Sequence, residues 1–106
     1  MELLTTQNFE TSVKTGVSLV DFYAEWCGPC QMLKPYLEAM SHDYAGRVTF
    51  YKVDVDQSYD IAGQYGITAM PTLKIFVDGI VKETVVGMDL AKIHSALEAH
   101  APKIQA

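Results

Sequence analysis

The only two cysteines of this chain, Cys27 and Cys30, sit two residues apart in Trp26-Cys27-Gly28-Pro29-Cys30, and their surroundings constrain the fold more than any other stretch. Before them, Leu19-Val20-Asp21-Phe22-Tyr23-Ala24 reads as a buried strand of aliphatic and aromatic residues. After them, the segment from Gln31 to Tyr44 carries Leu33, Leu37, Met40 and Tyr44 on one helical stripe. The pair therefore stands where a strand hands over to a helix, with Cys27 at or just before the first turn. The opening N–H groups of a helix have no internal partners, and the aligned peptide dipoles add partial positive charge there. A thiolate at that point is favoured over a thiol, so its pKa falls and it becomes a nucleophile near neutral pH.

A chain of 106 residues, 49% hydrophobic and 20% charged, reads as one domain over residues 1–106 with a core large enough to need no disulfide staple. No apolar run reaches bilayer-spanning length, so no membrane partner is expected. The start, Met1-Glu2-Leu3-Leu4-Thr5, lacks the basic and apolar regions of a secretory signal. The expected setting is the reducing cytoplasm, where a close cysteine pair is not a structural staple. A net charge of −5, from 13 acidic and 8 basic residues, disfavours nucleic acid as a partner.

Read in order, Glu2 to Thr5 is a short strand, and Thr5 or Thr6 caps a helix with Phe9 and Val13 on its buried face and Gly16 at its end. Val17 to Ala24 is the central strand, apolar at nearly every position because both its faces are covered. The helix from the cysteines contains Pro35, which should kink it. Arg47 to Val55 is a third strand, and Asp54 or Asp56 caps a short helix over Gln57 to Gln64. Tyr65 to Pro71 is a loop. Thr72 to Val77 and Ile80 to Val86 form a hairpin turning at Asp78-Gly79. Asp89 caps a last helix with Leu90, Ile93 and Leu97 buried, and Pro102 to Ala106 is a frayed tail. The order β-α-β-α-β-α-β-β-α predicts an α/β fold, a mixed sheet between helices, with the hairpin adding antiparallel strands.

Cys-x-x-Cys beside a β-α-β pattern reads as a redox site, since so short a loop opens and closes easily. Two plainer readings compete: half of a zinc site, or two inert buried thiols. A structural zinc site needs four ligands, and His42, His94 and His100 lack ligand-like spacing. The sulfurs should differ. Cys27 projects from the helix tip as the attacking thiolate, and Cys30 faces inward and resolves the mixed disulfide. Cys30 then needs a proton acceptor. Asp21 is the candidate, because burial on a central strand raises a carboxyl pKa. The alternative is a structural ion pair with Lys52, and both roles can coexist. Trp26 is read as an exposed apolar rim for docking proteins. Spacing alone makes Pro71 a plain turn proline.

The stretch from Val20 to Cys30 resembles the active-site segment of the thioredoxin family. The likeness continues through Pro35, Lys52, Asp54-Val55-Asp56, Tyr65-Gly66-Ile67, Met70-Pro71-Thr72, Asp78-Gly79 and Gly87. It implies a thioredoxin fold: a five-stranded mixed sheet of order 1-3-2-4-5 with four flanking helices. It also implies a monomeric protein-disulfide reductase with Cys27 as nucleophile and Cys30 as resolving thiol. Asp21 resembles the family's buried acid with Lys52 beside it, and Pro71 its cis-proline, leaving Met70 to pair with a client strand. Trp26, Gly28, Pro29, Met70, Pro71 and Gly87 would form the docking surface. The implied partners are disulfide-bearing client proteins and a thioredoxin reductase drawing on NADPH, with no cofactor or metal bound to the chain itself. Relatives of the same fold that act as oxidases or isomerases, or as binding subunits of larger assemblies, are the alternatives. Gly28-Pro29 argues against the oxidase, since oxidising relatives usually carry a histidine between the cysteines. Three positions depart from the pattern. Tyr23 stands where a second tryptophan is common, which should alter fluorescence more than chemistry. Gln31 replaces a usual cation, and Met70 a usual isoleucine, valine or threonine.

Overall fold

The computed structural model describes residues 1–103. Its elements are β1 (Glu2–Leu3), α1 (Phe9–Val13), β2 (Val17–Tyr23), α2 (Gly28–Asp43), β3 (Thr49–Asp54), α3 (Tyr59–Gln64), β4 (Thr72–Val77), β5 (Ile80–Val86) and α4 (Leu90–His100). The sheet order is β1-β3-β2-β4-β5. β3 runs parallel to both β1 and β2, whereas β4 is antiparallel to β2 and to β5. This is the expected thioredoxin fold, five strands and four helices in a mixed sheet. Among the described residues no helix is long and apolar enough to cross a membrane.

β2 is central because both its faces are covered, and its alternate side chains go to different cores. Leu19 joins Leu33 and Leu37 of α2, Ile93 and Leu97 of α4, and Phe50, Leu73 and Ile75 of the neighbouring strands. Val20 and Phe22 point the other way, into Phe9 and Val13 of α1, Ile61 of α3, and Leu4, Val53 and Phe76. The hairpin turns at Asp78 and Gly79 with φ of 50° and 84°, the two positive values a type I′ turn requires. Asp78 ties that turn to the start of β2: its Oδ1 accepts from the Gly16 N–H at 2.8 Å, and its own N–H donates to the Gly16 carbonyl. Asp89 caps α4 as expected, accepting from the Lys92 N–H at 3.1 Å.

Two helix starts differ in detail from expectation. α1 is regular only from Phe9, after Asn8, but the turn leading into it begins at Thr5, whose carbonyl takes the N–H groups of Asn8 and Phe9 and whose own N–H is accepted by Asn8 Oδ1 at 2.7 Å. α3 begins at Tyr59, not Gln57. The Asp54 carboxylate is spent on the N–H groups of Asp56 and Gln57, a tight turn that delays the helix until after Ser58. α2 runs unbroken past Pro35. Of the expected tail, Pro102 and Lys103 carry no regular structure, and residues 104–106 lie outside the described ones.

Candidate active site

β2 ends at Tyr23, and the chain turns through a Cys27 N–H to Ala24 carbonyl bond of 3.1 Å before α2 starts at Gly28. Cys27 is the N-cap of α2, in extended backbone conformation, and its sulfur accepts the Cys30 N–H at 3.3 Å. A sulfur thus takes the place that serine or aspartate usually fills at a helix start. Pro29 lies in the first turn and contributes no N–H, and no acidic side chain there competes for the positive helix end. The two cysteines are joined as a disulfide with their Cα atoms 5.2 Å apart. Burial does not separate the two sulfurs, since Cys27 is 5% exposed and Cys30 3%. Their neighbours do. Cys27 Sγ lies 3.5 Å from the Met70 carbonyl oxygen, while Cys30 lines a small, partly open cavity.

The loop before β4 supplies the other side of the site. The Met70–Pro71 peptide is cis, where spacing alone suggested a plain turn and the family likeness implied the cis form. The Pro71 carbonyl accepts the Gly87 N–H at 2.8 Å, and the Thr72 hydroxyl donates to the Ala69 carbonyl at 2.6 Å. Gly87 takes φ of 88°, a conformation that side chains rarely adopt, while the space where its Cβ would lie is open. Gly28 likewise has no atom within 4 Å of a would-be Cβ. Trp26 is 68% exposed. It is nonetheless held: its Nε1–H donates to Asp56 Oδ2 at 2.9 Å. Trp26, Gly28, Pro29, Met70, Pro71 and Gly87 thus belong to the cysteine loop or to the loop and strand end that face it. From sequence Asp56 is read as a candidate helix cap and as part of the family likeness, not as a partner of Trp26, because 30 residues of chain separate the two.

Beneath the cysteines, Asp21 follows the alternation of β2 onto the α2 side of the sheet, opposite Lys52 of β3 in register. It is 6% exposed, and among the described residues its Oδ1 is the one buried side-chain oxygen or nitrogen without a hydrogen-bond partner. Burial pushes its carboxyl up from 3.8 to about 7, with the positive charge of Lys52 pulling weakly the other way. The ion pair weighed from sequence does not form. Among the described residues no salt bridge joins Asp21 to Lys52, whose Nζ lies over the Tyr23 ring, 5.8 Å from its centroid. A cavity of about 30 Å³ touches Asp21, Lys52, Tyr23 and Cys30. That is room for a water, and its polar wall offers the partners a water needs.

A disulfide closed across one helical turn, with its first sulfur at the helix start, is the arrangement of a thiol-disulfide oxidoreductase. Comparison with known proteins fixes the lineage. The thioredoxin family profile matches residues 1–99. Thioredoxin of Staphylococcus saprophyticus is 43% identical over 84 residues, 79% of this chain and 81% of that one. Thioredoxin H-type of Chlamydomonas reinhardtii is 47% identical over 83 residues, 78% of this chain and 74% of that one. Among solved structures, Malassezia sympodialis thioredoxin superposes with a TM-score of 0.89 at 39% identity, covering 93% of this chain and 91% of its own. Plasmodium falciparum thioredoxin does so with a TM-score of 0.88 at 32% identity, covering 93% and 98%. The chain belongs to the thioredoxin family.

Proposed function

We propose that this protein reduces disulfides in client proteins and is returned to its dithiol form by a thioredoxin reductase, with electrons from NADPH. The observation that carries the reading is the sulfur of Cys27 acting as the N-cap of α2. Once the disulfide is reduced, the Cys30 N–H and the helix end favour an anion on Cys27 over a thiol. The Cys27 thiolate attacks one client sulfur, a Cys27–client bond forms, and the other client sulfur leaves with the electron pair. Cys30 then gives up its proton and attacks Cys27 Sγ. The Cys27–Cys30 bond closes, and the second client sulfur leaves as a thiolate. The client has gained two electrons and the protein has returned to its disulfide form.

The proton of Cys30 needs a destination, and Asp21 supplies it through a water in the shared cavity. A carboxyl titrating at about 7 is suited to the task, since it can hold or release a proton near neutrality. Lys52 sets the carboxyl's charge balance from the neighbouring strand. Trp26, Gly28, Pro29, Met70, Pro71 and Gly87 form the surface on which a client strand docks, with the Met70 backbone beside the reacting sulfur. The two sulfurs complete the exchange without a bound cofactor. Such chemistry belongs in a reducing compartment such as the cytoplasm, with the protein acting as a monomer.

Trapping tests this reading. With Cys30→Ser the first step still runs and resolution stops, so mixed disulfides through Cys27 should accumulate on several client proteins and disappear with dithiothreitol. Reduction of insulin by the unaltered protein should continue only while a flavoprotein reductase and NADPH are supplied. Failure to trap clients, together with net oxidation of reduced substrates at a cytosolic glutathione poise, would assign the oxidase role instead.

A further inference from the structure

We propose that Tyr23 is a positioning residue of the resolving step: its ring holds the Lys52 ammonium group away from Asp21, so that the carboxyl that takes the proton of Cys30 stays unpaired. The inference rests on the Asp21 relay described above and adds to it the residue that keeps its base free.

Asp21 and Tyr23 are two apart on β2, and Lys52 stands opposite Asp21 on β3, so all three side chains leave the sheet on the α2 side. All three line the cavity that reaches Cys30. Neighbouring strands lie about 4.8 Å apart, well within the reach of a lysine stem, so an ion pair is open to these residues. It is not made. Among the described residues no salt bridge joins Asp21 to Lys52, and Asp21 Oδ1 has no hydrogen-bond partner. Lys52 Nζ lies instead 5.8 Å from the centroid of the Tyr23 ring, within the range at which an aromatic face attracts a cation.

The preference has a physical cause. Two charges brought together at a buried site must both shed water, and their attraction need not offset that. Lys52 is half-buried, and over the ring its ammonium group keeps part of its hydration. The Asp21 carboxyl, pushed up to about 7 by burial, is uncharged for much of the time near neutrality and then offers Lys52 no charge. The ring offers its face at every working pH, because burial and then nearby carboxylates hold the phenol at about 12.

The other charged groups around Asp21 do not stand in for Lys52. Glu38 Oε1 accepts from the Met1 amino group at 3.4 Å, Asp54 is committed to the N–H groups of Asp56 and Gln57, and Glu25 and Lys34 are exposed. On β4 the residue opposite Asp21 is Leu73, which carries no charge. An ion-paired carboxylate holds a proton less tightly than a free one, so pairing with Lys52 would make Asp21 a weaker base. In the resolving step the S–H bond of Cys30 breaks, its proton passes through water to Asp21, and sulfur keeps the electron pair that attacks Cys27. Tyr23 and Lys52 neither gain nor lose a proton.

Tyr23→Leu removes the aromatic face and keeps an apolar side chain, whereas Tyr23→Phe keeps the face. NMR titration of the side-chain carboxyl carbons in the oxidised protein reads Asp21 directly, its signal being the one lost in Asp21→Asn. The Asp21 midpoint should fall by at least about one pH unit in Tyr23→Leu and stay in place in Tyr23→Phe. Adding Lys52→Met to Tyr23→Leu should return it to its original position or above. An unmoved midpoint in Tyr23→Leu overturns the inference. So does an equal fall in Tyr23→Phe, or a fall that persists without Lys52, since the ring or the lysine is then not the agent. In the unaltered protein the ε-methylene protons of Lys52 should be shifted upfield by the ring, and ordinary lysine positions overturn the inference whether or not Tyr23→Leu folds. In the reduced protein the acid limb of the pH profile for resolution should move down with the midpoint. Normal resolution in Asp21→Asn overturns the relay itself, a failure that the titrations distinguish from failure of the ring.

Discussion

Asp21 and Phe22 are neighbours in sequence and face opposite sides of the same strand, and the two sides are built to different ends. Phe22 enters a predominantly apolar layer, where the rings of Phe9, Phe22, Tyr65 and Phe76 meet at centroid distances of 5.4 to 6.4 Å. Asp21 enters a layer that begins the same way, with Leu19 against Leu33, Leu37 and Ile75, and then breaks off into a polar cavity beneath the cysteines. One face is packed to hold the sheet. The other is left incomplete at one end, with a carboxyl that would be more stable in water. The contrast separates a face that packs the sheet from a face that brings a buried carboxyl close to the disulfide.

The sharpest way to break that division is to damage the inert face. Phe22→Ala empties a fully buried ring position and should cost about 3–5 kcal/mol in denaturant unfolding of the oxidised protein. The rate of attack by Cys27 on a small disulfide, measured where the variant remains folded, should stay at its original value. A comparable fall in that rate would show that the two faces are not independent.

The opposite face should respond in the opposite sense. The folded-state pKa of Asp21 is about 7 against an ordinary 3.8, so the native state holds a proton that the unfolded chain releases. Stability from this group is therefore complete below about pH 4, declines as pH rises toward 7, and levels off above it. Asp21→Asn removes the penalty. At about 1.4 kcal/mol per pKa unit, it should gain roughly 2–4 kcal/mol above pH 7 and flatten the profile between these limits. Urea midpoints across pH 4 to 8 would show it. A parallel profile for both proteins would mean that the carboxyl is not held protonated by burial.

How much of this was legible in the residues depends on whether the signal was local. The Asp78-Gly79 turn, the Asp89 cap and the cysteines at the start of α2 are each written in a few adjacent residues, and the structure has them where the sequence puts them. Helix starts crowded with rival caps were less sharply placed. Thr5, Thr6 and Asn8 compete at α1, and Asp54, Asp56 and Ser58 at α3, and the choice depends on which amides each side chain reaches. The buried acid was visible as a charge inside an apolar run. Its relation to Lys52 was not, because the ammonium group settles over the Tyr23 ring, and register alone does not reveal that choice. Nor does the local sequence distinguish cis from trans at Met70–Pro71; only the likeness to a family carried that.

The rim above the cysteines belongs to neither face and tests the comparison most finely. Trp26 is the only tryptophan, it is largely exposed, and a single hydrogen bond to Asp56 sets its position. Asp56→Ala deletes that bond on the surface, where water replaces it, so stability should fall by no more than about 1 kcal/mol. The indole then samples several rotamers, and steady-state fluorescence anisotropy from this lone reporter should drop. A docking partner must order the ring again, at about 0.5–1.5 kcal/mol for one side chain, which corresponds to roughly 2- to 10-fold slower capture of a protein client. A small disulfide that never touches the indole should be attacked at the original rate. Lower anisotropy with undiminished protein capture would show that clients do not dock through the ring, and Trp26 would be a cover for the disulfide instead.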